Sequence, residues 1–125
     1  MVNKIFALLG LRLVRIPKNF ADIASRRGLH VPDGPFRGMA VRQSGMSWGN
    51  DALLMGLGFY EQELWSSLDE AMNFRPTQVV NLGAADGYYS VGLARQLAVD
   101  VLAIDTNPDS RRALFANAKL NGVRS

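Results

Sequence analysis

The chain of 125 residues has no cysteine and a single histidine, His30. The first absence excludes disulfides, thiolate metal sites and cysteine nucleophiles. The second leaves His30 without a histidine partner for a metal site, and a surface or loop position is expected for it. Apolar runs are short: none approaches the ~20 residues needed to cross a bilayer. Acidic residues are scarce in the first 50 positions, which hold eight Lys or Arg against two Asp, a net of +6. Residues 51–125 carry six basic and nine acidic side chains, a net of −3, so the overall +3 originates in the N-terminal part. Such a basic arm attracts phosphates or anionic lipid without specificity, or is a solvated face. No nucleic-acid motif accompanies it. A hydrophobic content of 48% is that of a folded globular chain, and the length suits one small core.

Along the chain, Asn3 can cap a helix over residues 3–16 that Pro17 stops. Lys4, Arg12, Arg15 and Lys18 share one sector of it, and Ile5, Phe6, Leu8, Leu9, Leu13 and Ile16 cover much of the rest. Residues 4–18 are therefore a candidate for weak contact with a membrane surface, beside the alternative of a helix that packs on the domain or on a partner. The segment lacks a small-x-small cleavage site, so no secretory signal is read and the cytoplasm is the expected compartment. Residues 17–50 read as an irregular lead-in with a turn cluster at 31–39 and one short helix near residues 20–26. Residues 52–60 are apolar but interrupted by Gly56 and Gly58, which predicts a loop with a short strand. A helix is predicted from Glu61 to Met72, with Leu64, Trp65, Leu68, Ala71 and Met72 on one side and Glu61 and Glu63 in its first turn.

The densest signal follows. VVNLGAADGYYSVGLAR, residues 79–95, reads as a strand, a glycine-rich turn and a helix; VLAIDTN, residues 101–107, reads as a second strand ending on a carboxylate. Val79, Val80 and Leu82 suit a strand covered on both faces. A helix from Tyr88 to Leu97 would present amide donors and a partial positive charge at its start. A further helix over residues 109–120 starts near Pro108 and closes at Asn121-Gly122. Asp105 lies 24 positions after Asn81, where a carboxylate can accept two hydrogen bonds from vicinal ribose hydroxyls. It can also cap the following helix, as can Thr106 and Asn107. A dinucleotide fingerprint wants glycines at 83, 85 and 88; the chain has Gly83, Ala85 and Tyr88, which argues against a module for NAD. The pattern G-x-[GA]-x-G fits instead, at Gly83, Ala85 and Gly87.

That pattern resembles the first motif of class I S-adenosylmethionine-dependent methyltransferases. The lead-in is similar to that of FkbM-type enzymes, whose Gly-x-Tyr-Glu-x-Glu-Leu stretch has its counterpart in Gly58, Tyr60, Glu61, Glu63 and Leu64. The resemblance spans residues ~34–123. It implies an α/β fold: a Rossmann-like methyltransferase core, incomplete, with the first two parallel strands and flanking helices, preceded by a helical N-terminal arm. The expected division is residues 1–50 as basic arm and lead-in, and residues 51–125 as a partial cofactor-binding domain. The implied cofactor is S-adenosylmethionine and the implied reaction methyl transfer, with the acceptor and any catalytic base unassigned. Gly83, Ala85 and Gly87 would shape the pocket, and Asp105 with Thr106 beside it would hold the ribose. Asn81 stands where the family usually carries Asp or Glu, and so lacks the charge that would face the cofactor's amino group. Asp86 is either a compensating acid or a turn residue. Tyr60 and Glu61 are either site residues or, respectively, core packing and a helix first-turn acid. The strands beyond the second have no counterpart, so a truncated product is expected. The alternative is a non-catalytic half-domain that pairs with a missing partner half, and an exposed strand edge is expected to favour self-association.

Overall fold

The computed structural model describes residues 29–42 and 51–124. The expected helices at 3–16 and 20–26, and with them the basic sector at residues 4–18, lie outside the described residues. What is described is a mixed α/β structure with four helices and two small sheets. Strand β1 (Leu29–His30) pairs antiparallel with β2 (Ala40–Val41). Helix α1 (Asp51–Leu57), a 3-10 turn (Gln62–Leu64) and α2 (Trp65–Asn73) follow. The chain then runs through β3 (Gln78–Leu82), α3 (Tyr88–Leu97), β4 (Asp100–Ile104) and α4 (Pro108–Leu120). β3 and β4 are parallel, in register from Gln78↔Asp100 to Leu82↔Ile104, with α3 as the crossover.

The last four elements lie where periodicity and capping predict them. Asn107 caps α4, its side-chain oxygen accepting the Asp109 N–H at 2.9 Å, and Pro108 occupies the first turn. At the other end Gly122 N–H meets Lys119 O at 3.2 Å and Val123 N–H meets Ala118 O at 2.9 Å, a Schellman closure with Gly122 at φ +66.

Three expectations are corrected. Residues 51–57 are a helix, not a loop with a strand. Gly58, at φ +74, ends it in the same closure, with Gly58 N–H on Met55 O at 3.1 Å and Phe59 N–H on Leu54 O at 2.9 Å. Gly56 sits inside this helix because a Cβ there would stand 2.8 Å from Leu29 Cδ1, so its glycine serves close packing. Second, the helix expected from Glu61 starts at Trp65. Glu61 has a left-handed backbone at φ 45, and the next three residues form a 3-10 turn instead. Trp65, Leu68 and Met72 are half-buried, whereas Leu64 and Ala71 are exposed. Third, the parallel strands are covered on one face only among the described residues. Val79, Asn81, Val101 and Ala103 are half-buried toward α3; Val80, Leu82, Leu102 and Ile104 on the opposite face are 43–74% exposed.

The core lies on the helical side of the sheet. Val31, Phe36, Met39 and Val41 of the hairpin region are buried against Met55, Tyr88, Val91 and Ala118. The region expected to be irregular is thus a chief supplier of the core. Its loop is held by Val31 N–H on Met39 O at 2.9 Å and Gly38 N–H on Val31 O at 2.8 Å. Phe36 lies directly on α3, with Tyr88 edge-on at 5.2 Å. Two asparagines, one in α4 and one at its C-terminal cap, fasten the hairpin: Asn121 Oδ1 accepts Ala40 N–H at 2.9 Å, and Asn117 Oδ1 accepts Arg42 N–H at 3.0 Å.

Candidate functional site

Between β3 and α3 the chain reverses through left-handed backbone at Gly83 (φ 73), Ala85 (φ 48) and Gly87 (φ 91). Glycine adopts this region freely, whereas an alanine there costs about 1–2 kcal/mol unless its surroundings hold it. They do. Gly83 N–H and Ala84 N–H both donate to Ile104 O, at 2.8 and 3.0 Å, and Ala85 N–H donates to Asp105 Oδ2 at 2.8 Å. Three consecutive amides of the turn therefore converge on the end of β4. A Cβ on Gly83 would meet nothing within 4 Å, so the turn is open there to an approaching group. Gly87 is different: its Cβ would lie 2.8 Å from Leu114 Cγ, so glycine here lets α4 pack on the start of α3.

Asp105 is the hub. Its Oδ1 accepts Asn107 N–H at 2.8 Å while Oδ2 holds the glycine turn. These backbone donors, from Asn107 first and Ala85 second, hold the carboxyl below the usual carboxylate range, and the Arg111 guanidinium adds to the effect. Of the two sequence alternatives, the cap of α4 is Asn107 rather than Asp105. Each carboxylate oxygen has one of these hydrogen bonds, and an ionised carboxylate has about four acceptor positions, so capacity for hydroxyl donors remains. Thr106 is exposed, and its carbonyl accepts Arg111 Nη1 at 3.0 Å.

The other candidates form a second group around the start of α3. Tyr60 is half-buried with its ring edge-on to Tyr88 at 4.8 Å, and its carbonyl accepts Trp65 Nε1–H at 3.3 Å. Glu61 accepts the Tyr89 hydroxyl. Burial, then the charge of Glu61 and more distant carboxylates including Asp51 and Asp86, raises the Tyr60 hydroxyl well above its ordinary value. Burial and Glu61 push Tyr88 up to about 12. Glu61 itself is raised, by burial first and then by Glu63 and Asp51. Asp86 is half-buried, its carbonyl accepting Asn117 Nδ2–H at 2.8 Å. Asn81 faces α3 and donates to Ser90 Oγ at 2.9 Å, so its amide is engaged with the helix. The structure brings Gly83, Ala85 and Asp105 into one hydrogen-bonded unit. The charges of Glu61 and Asp86 both act on the Tyr60 hydroxyl.

Asn117, Arg111 and the hold of Asn121 on the hairpin escaped the sequence reading. Asn117, 4% exposed, ties the glycine turn at Asp86 to Arg42, the residue after β2, through its two amide ends. The signal for the asparagines was their four-residue spacing, which puts both on one face of α4. A groove of about 800 Å³ runs along β4 between α3 and α4; Asp105 and Arg111 border it, whereas Gly83, Ala85, Tyr60 and Glu61 do not.

Compared with protein-family models, curated proteins and solved structures, the chain matches none of them. Among the described residues no helix is long and apolar enough to cross a membrane, and no group of three or more His, Cys, Asp or Glu could hold a metal ion.

Proposed function

We propose that this chain carries the nucleoside-binding part of a Rossmann-like methyltransferase core and binds S-adenosylmethionine. The observation that supports it best is the pairing of an open glycine turn with a carboxylate at the end of the adjacent parallel strand, joined by the Ala85–Asp105 hydrogen bond of 2.8 Å. The residues fit the nucleoside end of this ligand. Gly83 leaves space where a side chain would stand, and Asp105 retains acceptor positions for the two ribose hydroxyls. The turn amides of residues 83–85 already have acceptors in Ile104 O and the Asp105 carboxylate, which suits an uncharged sugar better than a phosphate. When bound, S-adenosylmethionine supplies a methyl group on a sulfonium centre; this chain's own contribution is binding and orientation. Tyr60, Glu61 and Asp86 are assigned to the border of the site. Calorimetric titration tests the reading. S-adenosylmethionine or S-adenosylhomocysteine should bind more tightly than NAD or ATP, and tighter binding of NAD would overturn it.

One observation favours a second reading. The apolar face formed by Val80, Leu82, Leu102 and Ile104, and the outer edges of β3 and β4, have no partner among the described residues. A non-catalytic binding module whose sheet another polypeptide completes would have this character. A sizing experiment beside a single-turnover assay with labelled cofactor separates the two. The partial core is expected to transfer no methyl group by itself: transfer by a monomer would overturn its reading as half a domain, and stable association without transfer supports the module.

A further inference from the structure

Arg111 lies in the first turn of α4, where the helix dipole disfavours a cation. Its side chain turns back toward β4, and Nη1 donates to Asp105 O at 2.7 Å and to Thr106 O at 3.0 Å. One guanidinium nitrogen carries two hydrogens, so each carbonyl receives its own donor. The Thr106 carbonyl belongs to the same peptide unit as the Asn107 N–H, and that N–H binds Asp105 Oδ1 at 2.8 Å. A cation on the carbonyl end of a peptide polarises it and strengthens the donor at the other end. The remaining carboxylate oxygen then meets Ala85 N–H at 2.8 Å. An unbroken path of hydrogen bonds thus runs from Arg111 through the 106–107 peptide and the Asp105 carboxylate to the glycine turn.

We infer that Arg111 is a positioning residue: it fixes the backbone after β4 so that the Asp105 carboxylate stands against the glycine turn in the orientation that receives a nucleoside. This rests on the proposed role of Asp105 toward the ribose. Arg111 is exposed and lies outside the buried cluster, so its loss leaves the core intact. Lysine keeps the charge and a donor but not the fixed fork of the guanidinium, and should restore the function in part.

The test uses the full chain as wild type, Arg111→Met and Arg111→Lys. Each is titrated with S-adenosylhomocysteine, and amide hydrogen exchange at Ala85 and Asn107 is followed by nuclear magnetic resonance. Arg111→Met should bind about tenfold more weakly. Both amides should exchange at least about fivefold faster while the thermal midpoint stays within about 4 °C of wild type. Arg111→Lys should fall between the two. Unchanged exchange at both amides in Arg111→Met overturns the inference, as does unchanged affinity. If wild type binds no S-adenosylhomocysteine, the proposed function falls, and the exchange rates alone decide whether Arg111 holds Asp105: faster exchange upholds it and unchanged exchange refutes it.

Discussion

Replacing Gly92 by alanine sets helix propensity against tertiary packing, and the structure decides the sign. Gly92 lies inside α3, where alanine is favoured over glycine by about 0.8–1.0 kcal/mol. On that ground alone the substitution stabilises. A Cβ at this position, however, would stand 2.5 Å from Phe36 Cγ and 2.6 Å from both Cδ atoms. These are atoms at the root of the ring, not the end of a flexible chain. Phe36 is 1% exposed and is flanked edge-on by Tyr88 at 5.2 Å and Tyr89 at 6.0 Å, so the ring has nowhere to retreat. Overpacking of this kind costs about 1–3 kcal/mol, and a contact this close belongs at the upper end. The net expectation is a loss of about 1–2 kcal/mol, or a fall of about 5–10 °C in the melting midpoint. Urea and thermal denaturation of wild type, Gly92→Ala, Phe36→Leu and the double variant measure it. Removing the ring should make room for the alanine, so the cycle should show a coupling of about 1 kcal/mol or more in favour of the double variant. A Gly92→Ala protein that is more stable than wild type would refute the hairpin-on-helix packing from which the figure was worked.

Three further outcomes are expected. Asp105→Ala should weaken S-adenosylhomocysteine binding at least about tenfold, the worth of one good polar contact, with helicity by circular dichroism unchanged; because the folded carboxyl titrates below its unfolded value of about 3.9, the stability it confers is full above that value and is lost as pH falls through the lower folded one, so Asp105→Asn should flatten this acid limb in pH-dependent melting. Glu61→Gln should show the opposite sign: the folded carboxyl is raised, its stabilising state is the protonated one, and the stability lost as pH rises through the folded value should be absent in the amide variant, which keeps an acceptor for the Tyr89 hydroxyl. Asn81→Asp should fold, since a carboxylate there can accept from the Ser90 hydroxyl, and titration should find cofactor affinity equal or improved; a loss of affinity would remove residue 81 from the site.

Local chemistry determined the second half of this protein. The apolar, β-branched runs in QVVNL and DVLAI, the turn glycines, the Asn107-Pro108 start and the Asn121-Gly122 stop each act over a few residues, and the elements from β3 to α4 lie where those signals put them. The pairing of glycine turn with terminal carboxylate was legible for the same reason, because strand, turn and acid follow one another in order along the chain. What remained hidden depends on residues far apart in sequence. Gly56 reads as a helix breaker until Leu29 is seen against it, and Gly92 as a weak helix residue until Phe36 is. The hairpin region has no periodicity of its own, yet its Ala40 amide is held by Asn121 from 81 positions away. Glu61 carries a helix-forming side chain, but in the fold its backbone is left-handed and its carboxylate accepts the hydroxyl of Tyr89, 28 residues away. Asp105 shows the division most plainly. The sequence alone placed an acid at the end of a strand and left open whether it caps a helix or faces a ligand; only the fold brought Ala85, 20 residues earlier, onto its second oxygen and left the cap to Asn107. Propensity and capping are local free energies, whereas a close approach or a shared hydrogen bond exists only once distant segments have been brought into contact.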